Sequence, residues 1–183
     1  MRSGRKRLVF AADEPSEQVT GIKVIDPATI DRDDEVVIAI GNSPAREDIE
    51  RAHPDLPWGN LFAATAIIGH DVEIGPGAVF CDHTMVTASA RIGRQFQCNI
   101  YSYVAHDCVI GDFVTFAPKV SCNGNVHIHD GAYIGTGAII RNGTPEKPLV
   151  IGENAIICMG AIITHDVPAG AKVYPARPAR PTL

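Results

Sequence analysis

The chain has 183 residues, a formal net charge of −5 at pH 7 and a sequence pI near 5.7. That length allows one main domain with room for a small second one, and the acidic balance argues against nucleic acid or an anionic membrane as partner. The start, Met1 to Arg7, is basic, but the apolar run that follows, Leu8 to Ala12, is too short for a signal-peptide core or a membrane span. The five cysteines form no CxxC pair, so buried free thiols in a reducing compartment, the cytoplasm, are expected.

Taken in order, residues 1–60 read as a truncated α/β layer of nucleotide-binding type. Leu8–Ala12 and Ile22–Ile25 suit short strands, and Val36–Ile40 is a continuous apolar run of the kind found in parallel strands buried on both faces. After Gly41, Ser43 is placed to cap a helix beginning at Pro44 and stopping near Pro54. No G-x-G-x-x-G precedes it, so the usual phosphate cradle is missing from the sequence.

From Phe62 the pattern changes to a period of six. Phe62, Ile68, Ile74, Phe80, Val86 and Ile92 are apolar, and the series continues through Cys98, Val104, Ile110, Phe116, Cys122, Ile128 and Ile134 to Ile140. Four residues after each anchor stands a small or medium residue, Phe96 excepted, and glycine follows the anchor at Gly69, Gly75, Gly93, Gly111 and Gly135. No helix has this period, and a plain strand alternates every two residues. A hexapeptide β-helix has it, each hexad being a short flat strand and a corner, where glycine tolerates unusual backbone angles. Three hexads close a triangular coil, so residues eighteen apart should stack about 4.8 Å apart. After Ile140 the anchors resume at Ile151, Ile157 and Ile163, so five extra residues, Thr144 to Pro148, should bulge from a corner. Beyond Val167 the proline-rich tail is expected to leave the ladder and lie on the surface. Residues 61–183 thus read as a β-helix domain with a C-terminal tail.

Seven histidines are candidates for chemistry: His53, His70, His83, His106, His127, His129 and His165. His106 stands out because stacking by eighteen sets it between Ala88 and Gly124, two residues without bulk, beside a shallow groove. Asp107 follows directly. Neighbours on a strand point to opposite faces, so only at a corner could this carboxylate reach the ring and fix its tautomer. On position alone, a base and an ordinary surface histidine are equally good readings. His127 and His129 could chelate a metal, but beside Asn125 and Asp130 a solvated face explains them better.

The stretch Val104-Ala105-His106-Asp107-Cys108-Val109-Ile110-Gly111-Asp112-Phe113 resembles the catalytic motif of the hexapeptide-repeat sugar acetyltransferases, the group of sialic acid O-acetyltransferases and UDP-amino-sugar (bacillosamine-type) N-acetyltransferases. Gly124-Asn125-Val126 is similar to the segment that lies against the acetyl-CoA arm, and Ile38-Ala39-Ile40-Gly41 to the strand end that touches the nucleotide. The resemblance implies a left-handed β-helix, a homotrimer with the donor between neighbouring subunits, and acetyl-CoA as co-substrate. It further implies His106 as general base oriented by Asp107, donor contacts at Thr115, Gly124, Thr136 and Met159, and acceptor contacts at Asp13 and Gly41. A histidine, with an ordinary pKa of about 6.5, suits proton removal near neutrality. The acceptor expected is an amine or hydroxyl of a sugar, foremost a nucleotide-linked amino sugar.

The family pattern also has an opening strand with a glycine-rich loop, which this sequence begins after, and a donor-site histidine where Thr115 stands. The other readings are a β-helix that only binds or scaffolds, and a zinc enzyme of gamma-carbonic-anhydrase type. The latter carries two ligands five residues apart, a spacing absent among the seven histidines.

Overall fold

The computed structural model describes residues 9–12 and 18–176; Asp13 lies outside them. The chain divides into two compact units, residues 1–35 and 36–183. In the first, Phe10–Ala11 pairs in parallel with Ile22–Ile25, which also pairs antiparallel with Gln18–Val19. Asp26 then caps a turn of 3-10 helix, Pro27–Thr29, its Oδ1 accepting the Ala28 N–H at 2.8 Å.

The second unit is a parallel β-solenoid, consistent with a left-handed β-helix. Its three faces are ladders of very short strands. The first has seven strands from Leu61–Phe62 to Lys172–Val173, the second six from Ile67–His70 to Ile162–Ile163, and the third five from Glu73–Ile74 to Leu149–Ile151. Partners are eighteen apart in the regular part, as in Cys98↔Phe116, Val104↔Cys122 and Ile110↔Ile128. The anchors from Phe80 to Ile163 are buried, whereas Phe62 and Ile68 in the first coil are 43% and 37% exposed. Phe96 breaks the small-residue rule for a packing reason. In the column Phe62, Phe80, Cys98, Phe116 the cysteine is the small member, and Phe96 fills the space beside it, edge-on to Phe80 and Phe116 at 5.6 and 5.2 Å.

The corners work differently from the sequence expectation. Gly69, Gly75, Gly93, Gly111 and Gly135 do not have positive φ; a Cβ on them would strike the next coil, as at Gly75, 2.7 Å from the Arg94 nitrogen. The left-handed residue comes three after an anchor at most corners and is chemically varied: His83, Gln95, Tyr101, Asp107, Phe113, Lys119 and Asn125 have φ between 55° and 61°, and Gly77, Gly131, Gly137 and Gly160 take the same position. Close approach requires the glycines that directly follow the anchors, and the left-handed corners are shared between ordinary residues, which bear strain there, and a second set of glycines, which do not.

The bulge is where the period placed it: Ile128 pairs with Ile151 and Ile134 with Ile157, twenty-three residues on. A second irregularity shortens the last coil, where Ile157 pairs with Val173 and Ile151 bridges to Val167, sixteen residues on. The ladder therefore continues past Val167 for one more strand, contrary to expectation.

The segment before the coils also departs from its expected form. Val36–Ile40 is not a strand: Val36 makes one isolated bridge to Trp58, and the rest of the run has no ladder. Its carbonyls go to side chains instead, Ile38 O accepting from Gln97 Nε2 at 2.6 Å and Ile40 O from Arg46 Nη1 at 2.9 Å. Helix α1 (Ser43–Ala52) forms, but its cap is Asn42, whose Oδ1 accepts the Ala45 N–H at 2.9 Å. Ser43 is freed to face the coils, 3.3 Å from the Thr115 hydroxyl.

Candidate active site

His106 lies two residues past the anchor Val104, at the corner between the second and third faces. Asp107 next to it is the left-handed residue of that corner, φ 58°. The reversal of the chain there turns two consecutive side chains to the same side, and His106 Nδ1 sits 2.7 Å from Asp107 Oδ2. With Nδ1 against the carboxylate, Nε2 is the ring nitrogen left on the Gly124 side of the groove. The pair is open to solvent, with 59% and 52% of the two side chains exposed.

One coil further along this edge is Gly124, stacked as the spacing of eighteen anticipated. A Cβ there would come within 2.6 Å of the His106 Cε1 and 2.7 Å of Nε2. The imidazole therefore rests against bare backbone. Asn125 N donates to His106 O at 3.0 Å and Asn123 N to Ile140 O at 3.2 Å, while the Gly124 N–H has no acceptor among the described residues. Behind the ring, Cys108 donates its thiol to Asn123 O at 3.2 Å, and a hydrogen bond with Cys108 together with complete burial pushes the Cys122 thiol up.

The remaining predicted residues do not gather here. Thr136 and Met159 are exposed on adjacent coils at the other edge of the second face, where Gly160 N donates to Thr136 O at 2.8 Å. Gly41 precedes α1 against the first face, with open space around its Cα. Thr115 is a correction. It is 1% exposed, its hydroxyl donates to Gly41 O at 3.1 Å and accepts from Arg46 Nη2 at 3.0 Å, and no surface is left for a donor. It belongs to the seat of α1. Among the described residues no three His, Cys, Asp or Glu side chains are grouped to hold a metal ion.

No protein-family model matches the chain. It is 46% identical over 146 residues to the GDP-perosamine N-acetyltransferase of Escherichia coli O157:H7, a match that takes in 78% of this chain and 65% of the length of that curated relative. WeeI from Acinetobacter baumannii AYE has the same fold with a TM-score of 0.86 at 45% identity, over 94% of this chain and 84% of WeeI. The chain belongs to the hexapeptide-repeat sugar N-acetyltransferases. Within this family it is also similar to the acetyltransferase domain of PglB from Neisseria gonorrhoeae FA1090 in complex with acetyl coenzyme A, at 27% identity and a TM-score of 0.81 over 93% of this chain and 85% of that one.

The residue that sequence reasoning missed in this family member is Arg46. It is fully buried and faces no carboxylate among the described residues; its guanidinium donates to Phe113 O at 2.7 Å, Ile40 O at 2.9 Å and Gln95 O at 3.2 Å as well as to Thr115. Burial lowers its pKa to about 10, still a cation at neutral pH, with several acceptors taking the place of water. Its amphipathic-helix context, Arg46-Glu47-Asp48, reads as solvated surface, so only the coil carbonyls it meets reveal its role.

Proposed function

We propose that this chain transfers acetyl from acetyl-CoA to the amine of a nucleotide-linked amino sugar, with GDP-perosamine as the first candidate. The observation that carries the reading is the exposed His106–Asp107 pair lying on Gly124. His106 Nε2 takes the proton from the acceptor amine as its nitrogen attacks the thioester carbonyl; the tetrahedral intermediate collapses with loss of the coenzyme thiolate, which receives that proton. Asp107 holds the ring in the tautomer this needs and balances the imidazolium that forms. The unpartnered Gly124 N–H is suited to the developing oxyanion. The names of the relatives favour amine over hydroxyl. Gly41, with its free space, and Asp13 are proposed for the nucleotide of the acceptor.

A homotrimer is part of the proposal. The outward column of the second face runs Ile67, Met85, Tyr103, Ser121, Ile139 and Ile162, apolar but for Ser121 and the Tyr103 hydroxyl, with Ile67, Ile139 and Ile162 55%, 43% and 67% exposed, a surface of the sort that marks an interface. Thr136 and Met159 lie across that surface from His106, so a second copy packed on it would bring them to the donor, in a closed ring of three. The five free cysteines, three of them buried, fit a cytoplasmic enzyme. Among the described residues no helix is long and apolar enough to cross a membrane.

The test is acetylation of GDP-, UDP- and dTDP-linked amino sugars by the purified chain, followed by release of the coenzyme thiol, with mass spectrometry of the product. Thiol release with none of them, although coenzyme A binds, would refute the acceptor class. Ile139→Asp should give a monomer in sedimentation equilibrium with activity lost alongside; an active monomer would refute the shared site.

A further inference from the structure

The five-residue insertion after Ile140 has a chemistry of its own. Arg141, Asn142, Gly143, Thr144 and Lys147 line an open cavity of about 410 Å³. Its two charged side chains are both cationic, and neither is ion-paired among the described residues. Of the three arginines on the coils the other two are committed: Arg91 to Glu73 at 3.3 Å, and Arg94 to Glu50 at 2.9 Å and to Asp112. The adjacent Glu146 does not line the cavity.

The insertion is held in shape. Thr144 N donates to Lys147 O at 3.0 Å and Lys147 N returns to Thr144 O at 3.1 Å, closing a tight turn that sets Lys147 beside Arg141. The base of the loop is clamped at Gly143, where a Cβ would strike Asn125 O and the Leu149 nitrogen. The clamp also fixes where the cavity lies. Gly143 N donates to Gly124 O at 3.0 Å, and Gly124 lies under the His106 ring, so base, groove and cavity follow one another along a single edge. From His106 to Gly143 is two coils, about 10 Å at the spacing of strands in a sheet.

We propose that Arg141 and Lys147 form an anion subsite for the phosphates of the acyl-CoA donor. This rests on the acetyltransferase reading and goes beyond it by saying which way the donor runs: thioester at His106, pantetheine arm past Gly124, phosphates at the insertion. Charge is the reason the subsite is needed. The donor is a polyanion and the chain carries −5 overall, so a local pair of cations must offset the repulsion. A second cavity on this unit, against α1, is lined by Glu47, Asp112, Asp130 and Glu153 with a single cation, Arg94, already paired to Glu50 and Asp112, so its net acidic lining disfavours phosphate. An arginine and a lysine on a preformed turn supply charge-assisted hydrogen bonds to phosphate oxygens, the arginine through two parallel N–H groups.

The experiment titrates the purified chain, without any acceptor, with coenzyme A, dephospho-coenzyme A and phosphate-free pantetheine by calorimetry. Wild type should bind coenzyme A well above pantetheine. Arg141→Gln and Lys147→Gln should each weaken coenzyme A about tenfold and leave pantetheine unchanged, as expected for one lost charge-assisted contact. Loss of the difference between coenzyme A and dephospho-coenzyme A in either variant assigns that residue to the 3′-phosphate; retention of it assigns the pyrophosphate. Coenzyme A affinity unchanged in both folded variants, or a wild type that binds pantetheine as tightly as coenzyme A, would overturn the subsite. A wild type that binds none of the three would overturn the acetyltransferase reading itself.

Discussion

Gly124→Ala separates the chemistry of this edge from its stability. Gly124 does not occupy the left-handed region, so alanine fits its backbone, and restriction of the unfolded chain favours the variant by about 0.4–1 kcal/mol. The new Cβ, however, lies 2.6–2.7 Å from His106 Cε1 and Nε2, a contact that one of the two must leave. The ring is 59% exposed and can swing away, so the fold loses little and Tm should move by no more than about 4 °C. Swinging away breaks the 2.7 Å bond to Asp107. A hydrogen bond to a charged group is worth about 1.5–3 kcal/mol, so kcat/KM should fall roughly 10- to 150-fold. Gly111→Ala is the control. Its Cβ would meet the Asp130 nitrogen at 2.7 Å and the Asp130 carboxylate, and backbone cannot step aside. It should cost about 1–3 kcal/mol of stability, as overpacking does. Thermal melts read the first quantity and thiol release from acetyl-CoA the second. Wild-type kcat/KM in Gly124→Ala, or a Tm loss equal to that of Gly111→Ala, would refute the contact as the reason for this glycine.

Two further outcomes follow from the same contacts. Asp107→Asn should keep the fold, because asparagine tolerates a φ near 58°, and should lower kcat by roughly tenfold with KM for acetyl-CoA unchanged, measured by steady-state kinetics. Arg46→Met strands several buried carbonyls and should lower stability by roughly 3–5 kcal/mol in urea unfolding, with hydrogen exchange rising first in α1 while the core strands stay protected.

The coils were legible because their physics is periodic. A prism of strands asks for one apolar side chain at every sixth position, and Phe62 to Ile140 supplies it. The bulge was legible for the same reason, as a break in phase. What the period does not encode was misread. Thr115 occupies an outward position on a strand, where sequence predicts surface; it is buried because Ser43 and Arg46 come down on it, contacts separated from it by about seventy residues. Val36–Ile40 has the composition of a buried strand, but side chains of Gln97 and Arg46 take its carbonyls before any neighbouring strand can. Likewise, glycine marks some left-handed corners, Gly77, Gly131, Gly137 and Gly160, but nothing of the kind marks the one at Asp107. That Asp107 turns toward His106 therefore followed only from knowing where the corner falls.

The role of His106 as base is tested most directly by kcat for acetyl transfer to the amino-sugar acceptor by His106→Ala, with coenzyme A affinity and sedimentation recorded on the same preparation. Removing a general base costs about two to four orders of magnitude. His106→Ala should show a loss of that size, with affinity and assembly as in wild type. A folded variant that retains kcat within tenfold of wild type would contradict it.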